Sequence, residues 1–220
     1  MLNKNLGIYL SGILLGLAFQ SSSAQEQRFN FDQTAAGGLP SGWIIAATNP
    51  DGPLAEWQVK ADPAAVSSPQ VLAITRIRNE SGDVFNLCWT HDLVFQNGSI
   101  EVNVRADNGK EDQGGGLIWR AQDADNYYVA RYNPLESNLR LYFVKEGRRT
   151  QLASADISGI KTGEWFRLKI VHQGERIEAY LNGKQYLEAS DDAFLKAGGI
   201  GLWSKADAAS SFDDLVVTTP

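Results

Sequence analysis

AYLNGKQYLE, residues 179–188, decides the fold class. Asn182-Gly183 is the preferred pair for a type I′ turn, whose two central positions both need positive φ. The stretch therefore reads as two short strands closed by a two-residue hairpin. The same pattern runs outward in both directions. SIEVNVRA, residues 99–106, alternates strictly, with Ile100, Val102 and Val104 set against Glu101, Asn103 and Arg105. RFNFD, GWIIAA, EWQVKA, QVLAITRIR and DVFNLCWT precede it; GGLIWRA, NYYVARYN, NLRLYFVKE, EWFRLKIVHQ, GIGLWS and FDDLVVTT follow. Period-2 runs bounded by Gly, Pro, Asp or Ser are strands, and roughly a dozen at spacings of about 8–12 residues predict one all-β sandwich or barrel. Only DDAFLKAG, residues 191–198, reads as a helical turn.

The chain begins MLNKN, continues with the apolar run LGIYLSGILLGLAF and reaches QSSSA. That order of basic, apolar and small residues is that of a secretory leader, with cleavage expected after Ala24. Residues 25–220 are then a single domain, and a secreted or periplasmic address is expected. No later run is long and apolar enough for a span of roughly 20 residues, so no stable membrane insertion is expected after cleavage. The net charge of −6 argues against non-specific nucleic-acid binding, which needs many Lys and Arg contacts to phosphate. Cys88 is the only cysteine, so no internal disulfide forms. Its apolar context is that of a buried thiol, and His91 falls on the opposite strand face.

Alternation also sorts the faces of the middle strands. Leu117 and Trp119, then Leu139, Leu141 and Phe143, point to the core. Arg120, Tyr127, Arg131, Arg140 and Tyr142 are expected to share the other surface, with Glu101, Asn103 and Arg105 extending it. Rings stack on the C–H face of a pyranose, and planar guanidiniums donate to hydroxyls or carboxylates. Such a surface suits a carbohydrate ligand. Arginine on a strand also pairs with a cross-strand carboxylate simply to solvate the sheet, and the pattern alone does not separate the two uses.

GGGLIWRAQDADNYYVARYNPLESNLRLYFVKEGRRTQLAS, GEWFRLKIVHQGERIEAYLNGKQYLE and AGGIGLWSKADAASSFDDLVV together resemble the concanavalin A-like, laminin-G-like jelly-roll domains of secreted bacterial proteins. Among these the chain is most similar to the 3-keto-disaccharide hydrolase domain family, over about Phe29 to Val217. The resemblance implies a two-sheet antiparallel jelly roll of the lectin and glucanase type, with a concave face that binds or cleaves carbohydrate. It implies that the last strand pairs with the first, that Leu215 and Val217 fill the core, and that Trp203 and Lys205 stand on the concave side. It also implies a structural calcium where first and last strands meet, held by Asp32 with Asp213 or Asp214; no other cofactor is expected.

The chain departs from the related family 16 glucanases, which carry E-x-D-x-x-E on one strand; no such spacing occurs here. A retaining glycosidase needs two carboxyls about 5–5.5 Å apart, so ordinary glucanase chemistry is not expected. A 3-keto-glycoside asks for less, because its ketone acidifies the neighbouring C–H. Glu101 or His91 would be the base, with Arg120, Arg131 or Lys205 steadying the enolate. A third use, as a structural or adhesive domain, needs no base at all. Two histidines, His91 and His172, make no metal motif; His172 is expected at a surface or edge. GGG at 114–116 enters a strand, so it marks close backbone approach rather than a phosphate loop. Trp43, Trp57, Trp119 and Trp165 are expected in the core, and Trp203 at the ligand surface.

Overall fold

The computed structural model describes residues 24–67, 69–78 and 81–220; the leader-like segment up to residue 23 lies outside them. The described residues form fifteen strands and no helix. They are β1 (Gln25–Phe29), β2 (Trp43–Thr48), β3 (Glu56–Ala61), β4 (Gln70–Arg76) and β5 (Phe85–Phe95). Next come β6 (Gly98–Asn108), β7 (Gly115–Asp123), β8 (Asn126–Asn133), β9 (Asn138–Lys145) and β10 (Arg148–Asp156). The last are β11 (Trp165–Gln173), β12 (Arg176–Leu181), β13 (Lys184–Ser190), β14 (Gly198–Lys205) and β15 (Ala209–Thr219). DDAFLKAG is an irregular loop running into β14 rather than a helical turn.

Two antiparallel sheets form a jelly-roll sandwich. One has eight strands in the order β13-β12-β11-β6-β15-β4-β3, with β1 also on β15; the other has seven, β10-β9-β8-β7-β14-β5-β2. Phe29 pairs with Leu215, which is the closure of first strand on last that FDDLVV implied. Asn182 and Gly183 adopt φ of 50° and 82°, the geometry of the expected hairpin turn between β12 and β13.

Between the sheets, Ile100, Val102 and Val104 meet Leu117, Trp119, Leu139 and Leu141, all with no exposed area. Each such side chain contributes roughly 1.5–3 kcal/mol on burial. Trp57 stacks on Phe212 at 5.6 Å, and Leu215 and Val217 fill the same layer. Trp165 does not. It is half-buried on the outer face of the eight-stranded sheet, where the Arg105 guanidinium lies 4.9 Å over its ring. His172 is no surface residue either: it is fully buried, accepting the Trp119 indole N–H at Nδ1.

A second apolar layer occupies the other side of the seven-stranded sheet, comprising Phe85, Leu87, Trp89, Ile118, Tyr127, Val129, Tyr142, Val144 and Trp203. Its burial follows from curvature. Arg149, on edge strand β10, reaches Phe85 on β5, five strands away in the sheet order. In a flat sheet five spacings would be about 24 Å, yet the guanidinium carbon is 5.0 Å from the Phe85 ring. Asn49, just after β2, donates to Gly147 O beside β10 at 2.9 Å. The sheet thus rolls until its two edges nearly meet, and its outer face is concave.

Candidate functional site

Cross-strand register gathers a charged cluster at this concave face. Arg131 on β8 stands directly opposite Arg140 on β9, a like-charge pair that destabilises unless a carboxylate intervenes. Glu136, in the turn between them, supplies it: its Oε2 lies 2.7 Å from Arg131 Nη2 and 3.3 Å from Arg140 Nη1. Arg131 also donates to Asn138 Oδ1, and both arginines lie 3.5 Å from the Tyr142 hydroxyl. Burial works against the Glu136 carboxylate, but Arg131, Asn138 and Arg140 hold it below its ordinary value.

On β7, Gly116 sits in the ladder between Trp203 and Arg131. A Cβ there would fall 2.2 Å from Ala130 O and 2.8 Å from Arg131 Cβ. GGG therefore serves close approach, as expected, and it makes room for the arginine. One strand over, Lys205 Nζ stands 3.0 Å from Asp112 Oδ2, while Asn133 Nδ2 donates to Asp112 Oδ1 at 2.8 Å. Asp112 is buried, and burial pushes its carboxyl up although Lys205 pulls the other way. Its loop is pinned by Asp207, whose carboxylate accepts the N–H groups of Lys110, Glu111 and Asp112 at 2.6, 3.1 and 2.9 Å.

Arg149 covers the apolar layer, 4.5 Å from the Tyr142 ring and 6.0 Å from that of Trp203. Arg131 Nε, Arg140 Nε and Arg149 Nη1 are all buried without an acceptor. Trp203 is itself 1% exposed, so it is the floor of the face rather than its surface. Tyr127 is buried deeper still, its hydroxyl 2.7 Å from Thr48 Oγ1.

Arg131, Arg140, Tyr142, Trp203 and Lys205 thus come together, with Tyr127 beneath them. Arg120 does not join them. Its φ is +47° in a bulge of β7, which turns the side chain away and hands the concave position to Ala121. Its guanidinium donates to the carbonyls of Gln96, Phe194 and Gly174 at 2.8–2.9 Å. Glu101, Asn103 and Arg105 belong to the other sheet, so they do not extend the surface. Glu101 lies 3.8 Å from Arg167, and Arg105 pairs with Asp62 and Asp107. His91 is exposed on β5, packed edge-on to Trp89 at 4.2 Å. The two expected bases therefore stand on different sheets.

The calcium ligands do not converge. Asp32 accepts from Gln70 N and Asn30 Nδ2, and Asp213 from Ser67 N, Ser67 Oγ and Asp214 N. Asp214 lies 3.4 Å from Arg28. These carboxylates tie loops to strands. Among the described residues no three His, Cys, Asp or Glu side chains gather as a metal site, so this donor set does not fit a calcium ion.

Residues 39–218 match the 3-keto-alpha-glucoside-1,2-lyase-like domain. The chain belongs to that family. None of the curated proteins matches it significantly. A carbohydrate binding module, CBM66 from Bacillus subtilis, is 20% identical, with 80% of this chain and 95% of that one aligned at a TM-score of 0.60. The Bacillus licheniformis beta-glucanase is 12% identical, with 91% and 100% aligned at 0.59. At such identities the likeness shows the shared sandwich alone. Asp112, Glu136 and Arg149, which complete the site in this lyase-like domain, carry little signal in the sequence. Two lie in loops without periodicity, and Arg149 follows another arginine at a strand start.

Proposed function

We propose that this lyase-like domain binds carbohydrate on the concave face of its seven-stranded sheet, and that it opens a 3-keto-glycoside there by elimination. The observation carrying the reading is the Asp112–Lys205 pair at 3.0 Å, set beside three guanidiniums that each keep one nitrogen without a protein acceptor. The family's name and the sugar-related neighbours support the ligand class.

The chemistry needs one base and one anion stabiliser. Asp112 removes the proton from C2, next to the ketone at C3. That electron pair forms the C1=C2 double bond as the C1–O bond breaks, and the leaving oxygen takes a proton. Lys205 and Arg131 offer positive charge to the enolate oxygen as it develops. A raised carboxyl pKa brings a base nearer its working pH, and burial raises that of Asp112. Water adding across the double bond then gives the free 3-keto sugar. The expected secreted or periplasmic address belongs to the same reading and is checked by cell fractionation.

Binding without turnover is the second reading. It is favoured by Asp112 having both oxygens engaged by Lys205 and Asn133. A time course with a 3-keto-disaccharide and its unoxidised counterpart, followed by mass spectrometry, separates the two. Consumption of the keto species alone, slowed about a hundredfold or more by Asp112→Asn, supports elimination. Retention of both sugars, with binding intact, leaves the binding module.

A further inference from the structure

The cations at the concave face outnumber what an enolate needs. Arg131, Arg140, Arg149 and Lys205 converge there, and Asp112 and Glu136 are the carboxylates that answer them. This excess is local, since the whole chain is net −6. Glu136 is shared by Arg131 and Arg140, and Asp112 is taken by Lys205. Arg149 is left with no ion pair among the described residues; it is held by the rings of Phe85, Tyr142 and Trp203.

A guanidinium withdrawn from water without an ion pair is costly; burial lowers its pKa and Arg131 adds to that, against opposing pulls from Tyr142 and the more distant Asp112. The free nitrogens repeat the point. Arg131 Nε, Arg140 Nε and Arg149 Nη1 are donors only, cannot turn to accept, and lack partners. They lie beneath the face with almost no exposed area of their own, so it is the surplus of positive charge, with Arg149 outside any ion pair, that selects an anionic ligand. A planar carboxylate matches the guanidinium fork.

Resting on the carbohydrate reading above, we propose that this face selects a sugar acid: a glycoside carrying a carboxylate, taken up by Arg149 and Arg140.

The test uses the full chain and calorimetric titration at low and high salt. The probes are a glucuronate-containing disaccharide, its methyl ester, the matching neutral disaccharide, acetate and inorganic phosphate. The acidic disaccharide is expected to bind about tenfold or more tighter than the ester and the neutral sugar, with the gap narrowing at high salt. Arg149→Gln should erase the preference and Arg149→Lys retain part of it. Arg140→Gln, at a more exposed position, keeps the test valid if Arg149→Gln fails to fold. Equal affinity for acidic and neutral sugars overturns the proposal, as does a preference that survives the folded glutamine variants. Acetate or phosphate binding as tightly as the acidic disaccharide also overturns it, leaving an adventitious ion only. No turnover is required. A chain that prefers the sugar acid but leaves 3-keto-glycosides intact defeats the proposed reaction alone, and an active chain without the preference defeats this inference alone.

Discussion

Trp119 donates its indole N–H to Nδ1 of His172 across 2.9 Å, inside the core. The neutral imidazole then carries its own proton on Nε2, where the Gly174 backbone is its neighbour and only weakly favours the charged form. Burial, with the nearby Arg120 charge, pushes the His172 pKa down to about 3. The unfolded chain binds that proton near pH 6.5 and the folded one resists it. Stability from this residue is therefore complete above about pH 6.5 and is lost as pH falls toward 3. Urea unfolding across that range should show a decline that His172→Gln flattens. An identical slope in the variant would show that His172 is not held neutral.

Arg120 is a brace for three loops, because its guanidinium is spent on three main-chain carbonyls. Hydrogen bonds to a charged group are worth about 1.5–3 kcal/mol each, and Arg120→Met also strands buried acceptors. The variant is expected to lose about 3 kcal/mol or more in denaturant unfolding. Sugar affinity, measured on the folded fraction, should stay within about twofold, since the brace shares no partner with the arginine cluster.

Gly116 gives a sharper test of the site's construction. Its added Cβ would meet Ala130 O and Arg131 Cβ, both part of the ladder rather than flexible ends. Gly116→Ala should cost about 1–3 kcal/mol of stability and displace Arg131, so ligand affinity falls along with it. Unfolding and titration on the same preparation check both. Stability lost without affinity would place Arg131's role elsewhere.

These cases show what was legible in the sequence. Alternation put Arg131, Arg140 and Tyr142 on one face, because β8 and β9 are regular and joined by a short turn. It put Arg120 with them and failed there, since one residue at φ +47° breaks the alternation at the end of β7. Alternation assigned Glu101 the correct face of β6, but periodicity tells which face and never which sheet. Trp203 faced the expected side, yet the rolling of the sheet that buries it beneath Arg149 is a property of seven strands together. Asp112 and Glu136 sit in loops, where no period exists to read.

Asp207 should act on the site through a loop. Burial pushes its carboxyl up, but the N–H groups of Lys110, Asp112 and Glu111 prevail and hold it low. Asp207→Ala removes the acceptor for all three. Faster hydrogen exchange at residues 110–112 is expected, with about 1–2 kcal/mol lost. Turnover should fall while substrate affinity holds, because the loop aims Asp112 and leaves the arginines in place. Unchanged exchange would mean that the loop is held without Asp207.

Lys205 offers the decisive handle on Asp112. Among the influences on that carboxyl, burial is the largest and raises its pKa, while the Lys205 charge is the foremost opposing one. If Asp112 is the base, it must be ionised, so kcat/KM on a 3-keto-disaccharide should drop as pH falls through its raised value. Lys205→Met removes the foremost opposing charge and leaves Arg131 alone to counter burial. The acid limb of the profile should then move to higher pH, because a neighbouring cation that favours the ionised carboxylate is gone. The plateau should fall too, as positive charge near the enolate is lost. A lower plateau with an unmoved acid limb would mean that Lys205 steadies the anion while a group other than Asp112 takes the proton.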